Sequence, residues 1–175
     1  FPDWGYLRPM LVVVLGTHLA AAALRFAHAP LFVALPLALF AIVELMGFVF
    51  YRSSLVNGLT GSHTIDLMRD DLRLVLDQFP TAISPVPSSG IWAAAATAAL
   101  AVCAAMSDTF AFRAMGRLET VAPSGVVFVF TAALGTERHR VAAAALWVGS
   151  ALLVVAVLHF RSTSEETAWM GARKL

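Results

Sequence analysis

The sequence predicts an all-α protein, a polytopic membrane helix bundle with about five spans and one amphipathic surface helix. Apolar residues make up 59% of the 175 residues and charged residues only 13%, whereas soluble domains carry roughly 25% charged residues. Long windows of the chain also lack the polar face that a helix on a soluble protein needs. The lipid bilayer is therefore the first predicted partner.

Each predicted span is a window of predominantly apolar residues, close to the roughly 20 that a helix needs to cross the hydrocarbon core. The spans are predicted at residues 9–26, 30–51, 91–112, 118–134 and 141–160. The fourth window is short, and Pro123 and Gly125 near its start leave a tilted or re-entrant half-helix open. The very short connections within three pairs of consecutive spans, one–two, three–four and four–five, make each pair antiparallel neighbours.

Residues 64–79 predict an amphipathic helix on the surface of the bundle. Its main apolar stripe comprises Ile65, Met68, Leu72, Val75, Leu76 and Phe79. The predicted outward surface, available to a partner, comprises Leu67, Asp70, Asp71, Leu74 and Asp77. Four aspartates against two arginines in this segment favour docking against protein over binding to anionic lipid. An interfacial helix whose acids are merely solvated is the alternative interpretation.

The orientation follows from the charged residues of the connecting segments. The twelve basic residues divide equally between the two sides, and the aspartates of the surface helix break the tie. We therefore expect residues 64–79 on the extracytoplasmic side and the tail 161–175 in the cytoplasm. The net charge of +1 gives no indication of nucleic-acid binding.

Ionisable residues inside predicted spans are candidate functional groups, because charge is costly in lipid. Glu44 is the carboxylate well inside a span, and its candidate partners are His18, Arg138 and Arg140. A hydrogen-bonded structural role, a role in inter-helix specificity, and a proton or ion path all remain open for Glu44. Asp108, near the inner end of the third span, is interpreted as an interfacial anchor.

No catalytic, cofactor-binding or metal-binding residue is predicted. Cys103 is the single cysteine, and its apolar surroundings are typical of a small buried hydrophobe. Ser124, with His159 at the same predicted level, is weakly similar to an intramembrane serine protease. The first glycine of a G-x-S-G signature is absent, however, and a helix cap is the simpler interpretation of Ser124.

Four segments in order carry a family resemblance: FPDWGYLRP, FVFYR, DDLRLVLDQFPTAISPVP and FVFTAALGTERHRVAAAAL. Together they resemble the N-terminal membrane domain of bacterial, especially actinobacterial, transglutaminase-like membrane proteins. Family members often have a GLPTP-like turn before the surface helix, and the corresponding GLTGS at 58–62 lacks its proline.

The resemblance implies that the chain is an excerpt of a longer bacterial plasma-membrane protein. An extracytoplasmic transglutaminase-like domain, papain-like with a Cys-His-Asp triad, would lie beyond a further span. The chain would then be its membrane anchor and scaffold, non-catalytic by itself. A MoxR-type AAA ATPase and a von Willebrand-like protein are implied as cytoplasmic partners. A small transporter or channel subunit that uses Glu44 is the alternative function.

Overall fold

The computed structural model describes residues 5–83, 87, 89–114, 116, 118–134 and 140–172. The helices found in this part of the chain are α1 (Leu7–Phe26), α2 (Leu31–Phe50), α3 (Ser62–Gln78), α4 (Gly90–Phe112), α5 (Ala122–Leu134) and α6 (Arg140–Ala172). Single 3-10 turns follow α2 at Arg52–Ser54 and α3 at Phe79–Thr81. The predicted all-α class is confirmed.

Four helices in the described part of the chain are long and apolar enough to cross a membrane. They are Leu7–Phe26, Leu31–Phe50, Gly90–Phe112 and the Val141–Phe160 part of α6. They indicate a multi-pass membrane protein, as the composition predicts.

The predicted span at 118–134 starts as helix only at Ala122, and the described part of α5 comprises 13 residues. At 1.5 Å per residue it is about 20 Å long, against a hydrocarbon core of about 30 Å. Residues 118–121 form turns, and the Val121 amide donates to the Leu118 carbonyl at 3.1 Å. Pro123 fits this start, because it is the second residue of α5 and proline is favoured in the first turn of a helix.

The core lies where α1 packs against α2 and α4. Its buried residues are mostly small: Ala38 on α2, and Ala94, Ala101 and Ala105 on α4, close around Val13 of α1. Small side chains let membrane helices approach closely, and this close packing takes the place of a hydrophobic driving force in lipid. Large apolar side chains point outward on these same helices, as expected where lipid is the solvent.

The turn between α1 and α2 is a Schellman motif with an unusual residue at its left-handed position. The amide of Ala29 donates to the Leu24 carbonyl and that of His28 to the Arg25 carbonyl, both at 3.0 Å. His28 has a φ of 52°, where glycine is the usual residue. Pro30 follows and begins the next helix. This tight reversal makes α1 and α2 antiparallel neighbours.

The surface helix α3 lies against α4 at the end of the bundle where α2 finishes. Thr64 and Val75 are its buried residues, with Met68 and Asp71 half-buried between them. These positions follow at i, i+4, i+7 and i+11, so they form one helical face. The rest of α3 is largely exposed.

The last helix, α6, continues to Ala172, twelve residues beyond the predicted end of the span at 160. The predicted tail at 161–175 therefore begins as helix, and residues 173–175 lie outside the described part of the chain. Trp147 of α6 packs on Gly125 of α5 and stacks on Phe128 with ring centroids 5.1 Å apart.

Candidate functional site: the junction of α2 and α3

The connection between α2 and α3 contains a small hairpin at residues 55–60. Asn57 and Gly58 have φ values of 53° and 82°, the left-handed pair that a type I′ turn requires. Val56 and Leu59 exchange two backbone hydrogen bonds across the turn, at 3.0 and 3.1 Å. The two residues that flank the turn therefore satisfy each other's amides without help from the bundle.

Glu44 holds the base of this hairpin. The Thr60 amide donates to Oε2 of Glu44 at 3.1 Å, and the Thr60 hydroxyl donates to Oε1. Gly47, one turn further along α2, allows this approach, because a Cβ there would overlap the Thr60 methyl group and meet Leu55 at 3.2 Å. The carboxylate inside the span thus serves as a double acceptor for one loop residue.

A second contact fastens the start of α3. The Thr64 hydroxyl donates to the Ser54 carbonyl at 2.8 Å, and the Ser54 hydroxyl donates to the Tyr51 carbonyl at the same distance. Thr64 is completely buried. A buried hydroxyl stabilises a fold only when it is hydrogen-bonded, and this one bonds the helix to the loop before it.

A third contact joins the end of α2 to the middle of α3. The Tyr51 hydroxyl donates to Oδ2 of Asp71 at 2.9 Å. Burial raises the pKa of Tyr51 well above its usual range, and the hydrogen bond to Asp71 and its charge raise it further. Tyr51 therefore stays a neutral donor at physiological pH.

This contact corrects the predicted partner surface, because Asp71 turns towards the bundle. The face at Thr64, Met68, Asp71 and Val75 is the one that packs, so the helix is rotated about its axis relative to the prediction. Four residues of the predicted apolar stripe are exposed on one flank as a result: Ile65, Leu72, Leu76 and Phe79.

The remaining members of the predicted surface are exposed to different degrees. Leu67 and Leu74 are 37% and 45% exposed, and Asp70 and Asp77 are exposed as well. Asp70 and Arg73 form an exposed ion pair at 3.7 Å, which contributes little stability. Leu67, Asp70, Leu74 and Asp77 are thus the exposed members of the predicted partner surface.

A half-open cavity of about 150 Å³ lies under α3 between α2 and α4. Ile42, Met46 and Ala98 are among its apolar lining residues, and the Tyr51–Asp71 pair forms part of the wall. Its lining suits an alkyl group or an apolar side chain rather than a polar substrate.

The other predicted polar residues lie elsewhere. Asp108 is buried at the opposite end of the bundle, where its carboxylate accepts from Arg25 at 2.8 Å. The Arg25 guanidinium also lies 3.7 Å from the centroid of the Phe112 ring. His18 is exposed on α1, and Glu44 bonds Thr60 instead. Arg138 lies outside the described residues, and so does the side chain of Arg140.

The geometry gives no support to a serine nucleophile. The Ser124 hydroxyl donates to the Val121 carbonyl at 2.9 Å and accepts from Nε1 of Trp147 at 3.3 Å. His159 lies twelve residues further along α6 than Trp147, about 18 Å at the helical rise. Among the described residues, no group of three or more metal-binding side chains occurs.

Sequence reasoning missed Thr60 and Tyr51 as the residues that fasten the loop. One local signal was present, because Asn57-Gly58 between Val56 and Leu59 is the typical dipeptide of a two-residue hairpin. The pairing of Thr60 with Glu44 had no such signal, since it joins residues sixteen positions apart through the fold of the loop.

Comparisons with protein-family models, with curated proteins and with solved structures found no match.

Proposed function

We propose that this chain is a non-catalytic membrane domain that anchors an extracytoplasmic, transglutaminase-like module and presents α3 to it. The module would belong to the same bacterial plasma-membrane protein. The family resemblance of the sequence suggests the class of the module, and the junction of α2 and α3 supports the presenting role.

One observation carries the proposal: α3 is held by hydrogen bonds on one face while apolar side chains remain exposed beside that face. Three side-chain contacts hold the junction, namely Glu44–Thr60, Ser54–Thr64 and Tyr51–Asp71. Leucines at 67 and 74 stand beside aspartates on the exposed side. Exposed leucines beside acidic side chains offer a partner both apolar area to bury and charge to pair with.

The contacts of Glu44 favour this role over the transport alternative. Both of its carboxylate oxygens accept hydrogen bonds from Thr60, so the group has a structural task in the described part of the chain. A proton path needs a relay of further titratable groups, and the contacts of Glu44 include none.

The proposal predicts that the outer side of α3 touches the extramembrane module. In the full-length protein in native membranes, a photoreactive p-benzoylphenylalanine at Leu67 or Leu74 should cross-link to that module. Leu153 of α6 is 65% exposed on a membrane span, and the same group there should cross-link to lipid alone. Cross-links from Leu67 and Leu74 to lipid alone would contradict the presenting role.

The side of the membrane is tested separately. With Cys103→Ala as background, Asp70→Cys should react with a membrane-impermeant maleimide in intact cells. Labelling that requires permeabilised cells would place α3 in the cytoplasm and overturn the extracytoplasmic assignment.

A further inference from the structure

The hairpin at residues 55–60 lies beside the last two turns of α2, a helix long and apolar enough to cross a membrane. Its base residue Thr60 bonds Glu44, which precedes Tyr51 by seven residues, or about 10 Å along the helix. Leu55 on the opposite arm packs at Gly47. Both arms of the hairpin therefore meet α2 below its end.

The hairpin exposes apolar side chains at this depth. Val56 is 59% exposed and Leu59 is 61% exposed. Phe48 follows Gly47 on α2 and is also exposed. The guanidinium of Arg52 lies 5.4 Å from the centroid of the Phe48 ring. Aromatic and cationic side chains paired in this way are typical of the boundary between headgroups and hydrocarbon.

The amides of Val56, Leu59 and Thr60 in the hairpin find their acceptors within the protein. In lipid each free amide or carbonyl costs several kcal/mol, so irregular backbone must find its partners within the protein. Val56 and Leu59 pair with each other, and Glu44 accepts from both donors of Thr60. This accounts for a carboxylate inside a span, because the group serves amide and hydroxyl donors at that depth.

We infer that residues 55–60 form a membrane-dipping hairpin, which places Val56 and Leu59 against phospholipid acyl chains and Arg52 at the level of the lipid phosphates. The depth of the hairpin and the positive charge of Arg52 identify lipid as the molecule that contacts this surface. The surface lies beside an apolar span, and a positive guanidinium stands where the phosphates of the bilayer lie. Contact with lipid at the hairpin is independent of any module that binds α3.

Nitroxide labels on the full chain in liposomes test this placement. In the Cys103→Ala background, labels at Val56→Cys and Leu59→Cys should collide more with oxygen than with a water-soluble nickel chelate. Phe40→Cys, on the exposed face of α2, provides the lipid reference, and Asp70→Cys on α3 provides the water reference. The hairpin labels should resemble Phe40. Nickel accessibility equal to that at Asp70, or exclusion of both reagents by covering protein, would overturn the inference.

Loss of the carboxylate should release the hairpin. Adding Glu44→Ala should raise the nickel accessibility of the Val56 and Leu59 labels towards the Asp70 value and leave the Phe40 label unchanged. The Phe40 label also reports whether the bundle still folds. An unchanged depth at both hairpin labels, with Phe40 still in lipid, would show that Glu44 does not hold the hairpin.

Discussion

Glu44 shows at the scale of a single residue why an ionisable group stands inside an apolar helix. Its two oxygens accept from the amide and the hydroxyl of Thr60. A buried amide left without an acceptor costs about 1–3 kcal/mol. Glu44 therefore contributes as the hydrogen-bond acceptor of a loop residue at membrane depth, and not through its charge as such.

Substitution of Glu44 should separate hydrogen bonding from ionisation. Glu44→Gln keeps one carbonyl acceptor for Thr60, so it should lower the free energy of unfolding by less than about 1 kcal/mol. Glu44→Ala leaves Thr60 unsatisfied and should lower it by about 1–3 kcal/mol. Unfolding in mixed detergent micelles, followed by circular dichroism, measures both changes.

Flux measurements on the same residue test the transport alternative. Liposomes with the unsubstituted protein and with Glu44→Gln should show equal, background proton-linked and solute flux. Flux that depends on Glu44 would contradict the structural role and support the transport alternative.

At the scale of the element, the orientation of α3 is decided by what its inner face touches. Its apolar stripe predicts that Leu72 and Leu76 face the bundle, yet both are exposed. Asp71 faces Tyr51 instead. A hydrogen bond to a charged acceptor contributes about 1.5–3 kcal/mol. The exposure of the leucines costs less free energy than this, because a helix flank at the membrane interface remains in contact with apolar groups.

The glycine at position 47 should be required for the docking of the loop. Gly47→Ala places a methyl group onto the Thr60 side chain, so it should displace the hairpin and destabilise the protein by about 1–3 kcal/mol. Gly149→Ala in α6 is the matched control, since a Cβ there meets nothing within 4 Å. It should be neutral or stabilising, because alanine is the better helix former.

Thermal unfolding in micelles compares the two glycine variants directly. Equal stability of both would mean that Thr60 moves aside without loss, and that the close approach at Gly47 contributes nothing.

At the scale of the whole molecule, the two ends of the bundle are closed by different chemistry. At one end, hydrogen bonds join the loop to Glu44 and α3 to Tyr51. The opposite end is closed by charge, where Asp108 of α4 binds Arg25 of α1. Arg113, directly after α4, also donates to the Ala29 carbonyl in the turn between α1 and α2. Contacts between residues well separated in the sequence thus hold both ends of the bundle.

The Arg25–Asp108 pair should stabilise the bundle measurably. A double-mutant cycle with Arg25→Gln and Asp108→Asn should give a coupling energy of about 0.5–3 kcal/mol, because Asp108 is only 7% exposed. The same cycle with Asp70→Asn and Arg73→Gln should give less than about 0.5 kcal/mol, as for exposed pairs within a helix.

The dependence of the coupling energy on ionic strength also distinguishes the two ion pairs. The coupling of Arg25 with Asp108 should persist at high ionic strength, since partly buried pairs are screened little. A coupling energy no larger than that of Asp70 with Arg73 would contradict the role assigned to the buried pair.

The sequence by itself determined that this protein is built for a membrane, that it is helical, and roughly where its helices lie. These follow from apolar length and periodicity, which are local properties. The late start of α5 was also accessible in part, because Pro123 and Gly125 left a half-helix open. The partners of Glu44, Asp71 and Asp108 were decided only by the tertiary structure. Hydrogen bonds and ion pairs depend on distances of about 3 Å between residues remote in the chain, and no local pattern encodes them.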